Sequence, residues 1–236
     1  MGLEDTLSTV MAVLLIAGLE GTFFAIVYRP WIVHGLTVLK TVLLTLIHLF
    51  YGLLICNFIA CSFTDPGTVP DSYTKQFHLD GETGEIVPKD QLDQKDMPRW
   101  CHMCAQVKPP RAHHCSTCQR CILKMDHHCP WMGTCIGFRN HCHFVRFLVY
   151  VVICTFLSLI AGCWWMYEEY HEMGDTDEMI AVMASDYKLY MMVFAVVVSL
   201  GVVVFVGALA GYHINGISTN KTTIEAMEED RLCRQL

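Results

Sequence analysis

Four stretches of this chain are almost free of polar side chains, and the rest of the sequence is strung between them. They run Leu7 to Tyr28, Val38 to Phe63, Phe144 to Met166 and Leu189 to Tyr212. Each is long enough, as a helix, to cross a hydrocarbon layer of ~30 Å. The valine-rich fourth run would suit a strand elsewhere, but its length favours a helix. Glu20 is the one charge inside the first run; an intramembrane carboxylate is a functional candidate, and the alternative is a structural residue facing the bundle, paired or protonated. Arg29 to Thr37 reads as a short connection, with Pro30 and Trp31 at home at a membrane interface. Lys40 is placed to snorkel from the end of the second run, and His48 and Asn57 to bond within the bundle. The pattern therefore predicts an all-α polytopic membrane protein with four transmembrane helices.

The polar segments have their own punctuation. Asp65-Pro66-Gly67 suits a sharp turn directly after the second run. Asp71 to Pro98 is turn-rich and reads as a linker, with a short hairpin across Phe77 to Val87. Tyr167 to Asp186 is an acidic loop without Lys or Arg. Thr222-Thr223-Ile224-Glu225 has the Thr and Glu of a helix capping box. The predicted divisions are 1–63 (helices one and two), 64–98 (turn and linker), 99–143 (a cysteine-rich block of short β-hairpins), 144–212 (helices three and four) and 213–236 (tail).

Composition agrees with a membrane protein. Of 236 residues, 53% are hydrophobic and 17% charged, and the mean hydropathy is +0.38; an ordinary soluble domain is less apolar. The first run has no basic leader, since Glu4 and Asp5 precede it, and so is read as a span rather than a secretory signal. Thirteen cysteines would fit disulfides in an oxidising compartment, but their spacing points to metal. Seven of them lie between Cys101 and Cys135, and Cys101/Cys104, Cys115/Cys118 and Cys118/Cys121 have the two-residue gap of zinc knuckles. Two closed tetrahedral sites need eight ligands, which six cysteines plus His114 and His128 supply. One thiol is left over. Cys129 follows Asp126 and His127 directly, the arrangement of an activated nucleophile with a base and an orienting carboxylate. On spacing alone the alternative is that Cys129 binds metal and Cys135 stands idle.

The run C-x2-C-x9-H-C-x2-C-x2-C-x4-D-H-H-C-x5-C-x4-N-x3-F, from Cys101 to Phe144, resembles the cysteine-rich domain of the DHHC protein S-acyltransferases (palmitoyltransferases). Asp65-Pro66-Gly67 and Thr222-Thr223-Ile224-Glu225 resemble that family's DPG and TTxE motifs. The resemblance implies a two-step transfer in which Cys129 attacks a long-chain acyl-CoA such as palmitoyl-CoA, His127 takes the thiol proton and Asp126 supports the imidazolium. The acyl group then passes to a cysteine of a substrate protein, cytosolic or juxtamembrane. It also implies two structural Zn2+ ions in interleaved sets, Cys101, Cys104, His114 and Cys121 for one and Cys115, Cys118, His128 and Cys135 for the other. The tail would lie against the block, with Thr223 supporting the triad. The chain departs from the pattern at Met132-Gly133-Thr134, where most members carry Asn-containing polar residues. It also has eleven residues after Glu225, where members usually continue into a segment with an aromatic residue and an asparagine.

Between Arg99 and Arg139 stand six Lys/Arg and one acidic residue. Within this basic face Arg99, Lys108, Arg111 and His113 form the candidate dock for the phosphates of coenzyme A, and Trp131 would place its ring at the membrane boundary beside Cys129. The same charge would attract anionic lipid; a nucleic-acid partner is not expected of a block tied between membrane spans. Four spans put both termini on one side. Thiolate chemistry and the acidic far loop place them, with the block, in the cytosol, on a Golgi, endoplasmic reticulum or plasma membrane. The alternative from another class is a non-catalytic membrane scaffold, which would have no need of a spare thiol.

Overall fold

The computed structural model describes residues 2–74, 76–79, 86–88, 99–171 and 186–235. Among the described residues four helical segments are long and apolar enough to cross a membrane: Leu3–His34, Val38–Phe63, His141–Glu169 and Tyr187–Ser218. The first is built from α1 (Leu3–Phe23), one π turn (Phe24–Tyr28) and α2 (Arg29–His34). The expected connection at Arg29 to Thr37 is thus mostly helix. Pro30 is tolerated because it sits in the first turn of α2, where its missing N–H matters least. The π turn widens the backbone just where the proline ring would meet the preceding turn. The helix ends at Gly35, whose φ of 118° suits glycine alone.

Among the described residues the remaining helices are α3 (Val38–Phe63), a short α4 (Asp71–Thr74), α5 (His141–Tyr170), α6 (Tyr187–Ser218) and α7 (Thr223–Cys233). Because α5 runs to Tyr170, Glu168 and Glu169 belong to a helix end and not to the acidic loop. Residues 172–185 of that loop lie outside the described residues.

The chain divides into two compact units. One comprises Met11–Asn57 and Val145–His213 and, in its described parts, is helical apart from residues 35–37, 171 and 186. Phe23, Val27, Tyr28, Trp31, Ile47, Trp165 and Met192 centre its core. Several polar groups inside it are paired, while Ser199 Oγ is buried without a partner among the described residues. Tyr28 and Ser158 share a hydrogen bond of 2.9 Å, and His48 and Asn57 bond to carbonyls of their own helix, Leu44 and Leu53. Lys40 does not snorkel outward. Its Nζ lies 2.7 Å from Glu168 Oε2 and over the rings of Trp31 and Trp164, while both indole N–H groups donate to the same carboxylate. Pairing removes the cost that would drive a lone ammonium to water.

The other unit comprises Met1–Val10, Phe58–Phe144 and Ile214–Leu236. Its described residues hold four two-stranded antiparallel hairpins. β1 (Phe77–Leu79) pairs with β2 (Ile86–Pro88), across the segment expected to form a hairpin. The other three repeat one design: β3 (Arg99–Cys101) with β4 (Gln106–Lys108), β5 (His113–Cys115) with β6 (Arg120–Ile122), and β7 (His127–Cys129) with β8 (Thr134–Ile136). Corresponding positions are fourteen residues apart. Each turn closes through a left-handed residue at the same place, Ala105, Gln119 and Gly133. The third of these explains one departure from the family pattern, since glycine and asparagine are the residues that best accept that conformation.

The turn after α3 straps this array. Asp65 Oδ1 accepts the N–H groups of Gly67 at 2.8 Å and Thr68 at 2.9 Å, and Gly67 takes φ 107°. The Gly67 carbonyl then receives Leu123 N–H at 2.7 Å, and the Pro66 carbonyl receives Arg139 N–H at 3.2 Å.

Candidate functional site

The register of the hairpins brings the cysteines and histidines together. Cys101, Cys104, His114 and Cys121 form one group whose ligand atoms all lie within 4.8 Å of one another; Cys115, Cys118, His128 and Cys135 form a second. Each group takes two thiols from the turn of one hairpin and a cross-strand His–Cys pair, His114↔Cys121 or His128↔Cys135, from the next. In both, the histidine turns Nδ1 inward, 3.2 Å from Cys104 Sγ and 3.4 Å from Cys118 Sγ. Three thiols and one imidazole, all at least partly buried, can hold a metal ion with no position left for water, and suit zinc.

The third hairpin has no successor. Cys129 stands where Cys101 and Cys115 stand in the first two, and Met132 where the second turn thiols, Cys104 and Cys118, stand. Cys129 is a member of neither metal group. It is buried, and it shares the β7 strand with His127, two residues away and therefore on the same face.

A chain of hydrogen bonds runs back from that strand. His127 Nδ1 lies 2.6 Å from Asp126 Oδ2. Asp126, only 2% exposed, accepts Thr223 N–H at Oδ1 (2.7 Å) and Thr223 Oγ1–H at Oδ2 (2.8 Å). Thr223 opens α7, so the carboxylate also meets the positive end of a helix. Burial opposes the charge on Asp126, but bonds from His127 and Thr223 outweigh it and hold the carboxyl well below its usual range. Burial likewise disfavours a charged His127. Its bonds to Asp126 and Cys129 outweigh that and push its pKa up to about 9. Phe144 packs edge-on against the His127 ring at 5.2 Å. The arrangement can take a proton from a thiol and hold it.

The tail is fixed independently. Thr222 caps α7, accepting Glu225 N–H and donating its own N–H to Glu225 Oε2 in a closed capping box. Arg111 grips the same helix. Its Nη2 donates to Glu225 Oε2 at 2.7 Å and to the Asn220 carbonyl at 2.8 Å, its Nε to Glu225 Oε1, and its Nη1 to Asn220 Oδ1. Arg111, expected to be part of a phosphate dock, thus has its donors engaged by the tail. Arg99 and Lys108 face each other across β3 and β4. Burial and these two cations lower the pKa of His113, so the three form a patch of their own. Trp131 is exposed in the turn after Cys129.

Several residues escaped sequence reasoning. Asn140 is fully buried and ties three backbone groups, accepting Gly137 N–H and donating to the carbonyls of Cys61 and Cys135. Arg120 bonds Asp65 and Thr68 of the strap. Asp5 and Thr9, from the start of α1, reach His128 and the Pro130 carbonyl. The fourteen-residue period and the asparagine at the head of an apolar run were the available signals; nothing in the sequence marks the long-range partners.

Spanning helices, paired Cys/His groups and a thiol backed by histidine and aspartate define a membrane enzyme of acyl-transfer type. Residues 94–230 match the family described as DHHC palmitoyltransferase. The chain is 31% identical over 227 residues to Probable protein S-acyltransferase 12 of Arabidopsis thaliana, covering 93% of this chain and 76% of that one. It is 33% identical to Probable protein S-acyltransferase 14 of the same plant (92% and 73% covered) and 33% identical to Palmitoyltransferase ZDHHC2 of Mus musculus (75% and 51%). The chain belongs to the DHHC palmitoyltransferase family. It is an integral membrane protein with protein S-palmitoyltransferase activity, which sets aside the non-catalytic scaffold.

Proposed function

We propose that Cys129 is the nucleophile of a two-step transfer from a long-chain acyl-CoA to cysteines of membrane-associated proteins. The observation that carries this reading is the hydrogen-bonded chain Thr223–Asp126–His127, with Cys129 on the same face of β7 as His127, a thiol that neither metal group uses. In the first step His127 accepts the Cys129 proton. The sulfur attacks the thioester carbonyl, a new carbon–sulfur bond forms, and the thiolate of CoA leaves with the proton from His127. In the second step His127 deprotonates an incoming cysteine, whose sulfur takes the acyl group and releases Cys129. Asp126, kept ionised, holds the ring orientation and supports its positive charge.

The two Cys/His groups are read as structural zinc sites, each with four protein ligands, which fix the hairpins that carry Cys129. Arg99, Lys108 and His113 remain the candidate contacts for the CoA phosphates, with Trp131 at the acyl end. Both termini and the hairpin array are placed on the cytosolic side, where thiols stay reduced and acyl-CoA is found. The test is incubation of the purified full chain with palmitoyl-CoA followed by intact mass. A hydroxylamine-labile adduct of palmitoyl mass on Cys129 is expected; an adduct elsewhere, or none, overturns the assignment.

A further inference from the structure

The two metal groups have the same ligand set but not the same surroundings. Behind His114, Nε2 is buried with no hydrogen-bond partner among the described residues. Behind His128, Nε2 lies 3.1 Å from Asp5 Oδ1. Asp5 is 5% exposed, and its other oxygen accepts Gly2 N–H at 3.1 Å. One helical turn on, Thr9 Oγ1 donates to the Pro130 carbonyl at 3.0 Å, the carbonyl of the residue that follows Cys129. Asp5 and Thr9 are four apart and so share one face of α1. That face therefore touches the third hairpin at two points, on either side of Cys129 in sequence.

We infer that the first two turns of α1 are a positioning element for acyl transfer: Asp5 orients His128 for its metal, and Asp5 and Thr9 together set the strand that bears His127 and Cys129. The inference rests on the zinc reading of the second group. A carboxylate accepting Nε2–H leaves Nδ1 free to ligate, fixes the ring and raises its basicity, and loss of such a partner typically weakens a metal by about 10–100-fold. Along β7 the side chains alternate, so His128 points opposite to His127 and Cys129. A ring held from behind on one face fixes the backbone that aims the two reactive groups on the other. His114 has no such carboxylate, so the two zincs should differ in affinity within one molecule.

The experiment is competition of the zinc-loaded full chain with a graded chelator, counting zinc per chain by native mass spectrometry. Wild type is expected to lose its zincs in two separate steps. Asp5→Ala should weaken one zinc by about 10–100-fold and leave the other unchanged, and Asp5→Asn, which keeps an acceptor, should weaken it less. Placed in a His128→Cys background, where four thiolates need no ring orientation, Asp5→Ala should leave both affinities unchanged. Thr9→Val should slow self-acylation without moving either zinc. The inference is overturned if Asp5→Ala spares both zincs, weakens both alike, or acts equally in the His128→Cys background. Wild type carrying fewer than two zincs would overturn the metal reading beneath it.

Discussion

At the scale of single residues the demand is that neighbours behave oppositely. Cys129→Ser leaves both ligand sets whole, so zinc content and thermal midpoint should hold while the acyl-enzyme vanishes. Cys135→Ser removes a ligand, and should lose metal first and activity through unfolding. His127→Ala should keep both zincs and slow self-acylation by ~10²- to 10⁴-fold, as loss of a general base does. His128→Ala, one residue along, should cost a zinc. Metal analysis beside single-turnover acylation reads all four; a Cys129→Ser protein short of one zinc would invert the ligand assignment. Counting ligands leaves one thiol over, but that Cys129 is the one was legible only from Asp126 and His127 beside it and from the resemblance. Thr223 was legible only through resemblance, since ninety-seven residues separate it from Asp126 and no local rule spans that distance. Asn140 has a similar character: Asn140→Ala strands a buried N–H and two carbonyls, at about 1–3 kcal/mol for each group left without a partner, visible as a lowered thermal midpoint.

At the scale of elements, the docking of α7 rests on the pair of Arg111 and Glu225. The bond from Arg111 holds the Glu225 carboxyl below its ordinary value, against some desolvation. A depressed carboxyl contributes docking fully above the ordinary pKa of about 4.3, and loses it as pH falls through the lower folded value. Protease sensitivity of α7 should therefore stay flat from about pH 8 to pH 5 and rise only in stronger acid, whereas Glu225→Gln should make α7 sensitive throughout. A wild-type profile that changes near neutrality would assign docking to another group. The capping box was readable because its two residues are three apart; the Arg111 partner, 114 residues away, was not. Helix ends shifted for a related reason. Hydropathy reports where lipid would be tolerated, while the backbone continues as long as its hydrogen bonds do, through Pro30 at one span and past Tyr212 at another.

At the scale of the whole molecule, the helical unit carries its own polar fastening. Glu168 accepts from Lys40, Trp31 and Trp164, so Glu168→Leu leaves one ammonium and two indole donors without their acceptor. A loss of about 1–3 kcal/mol for each donor left buried without a partner is expected, read as a lower thermal midpoint, with acylation per folded molecule unchanged. A specific loss of acylation would tie that fastening to the chemistry. The hairpin array has a different consequence. The first two of the three repeated hairpins each lend two thiols forward and the next answers with a histidine and a cysteine, so the array behaves as an open chain of links with unmatched ends. At the leading end Trp100 and Val107 occupy the answering positions and close it with apolar side chains. At the trailing end Met132 has taken one of the two lending positions, which leaves a single thiol with nothing to bind, much as a polymer keeps one reactive end group however many units precede it. Met132→Cys would complete a dithiol there, and self-acylation should fall as that pair captures a metal or oxidises, with the two earlier zincs in place.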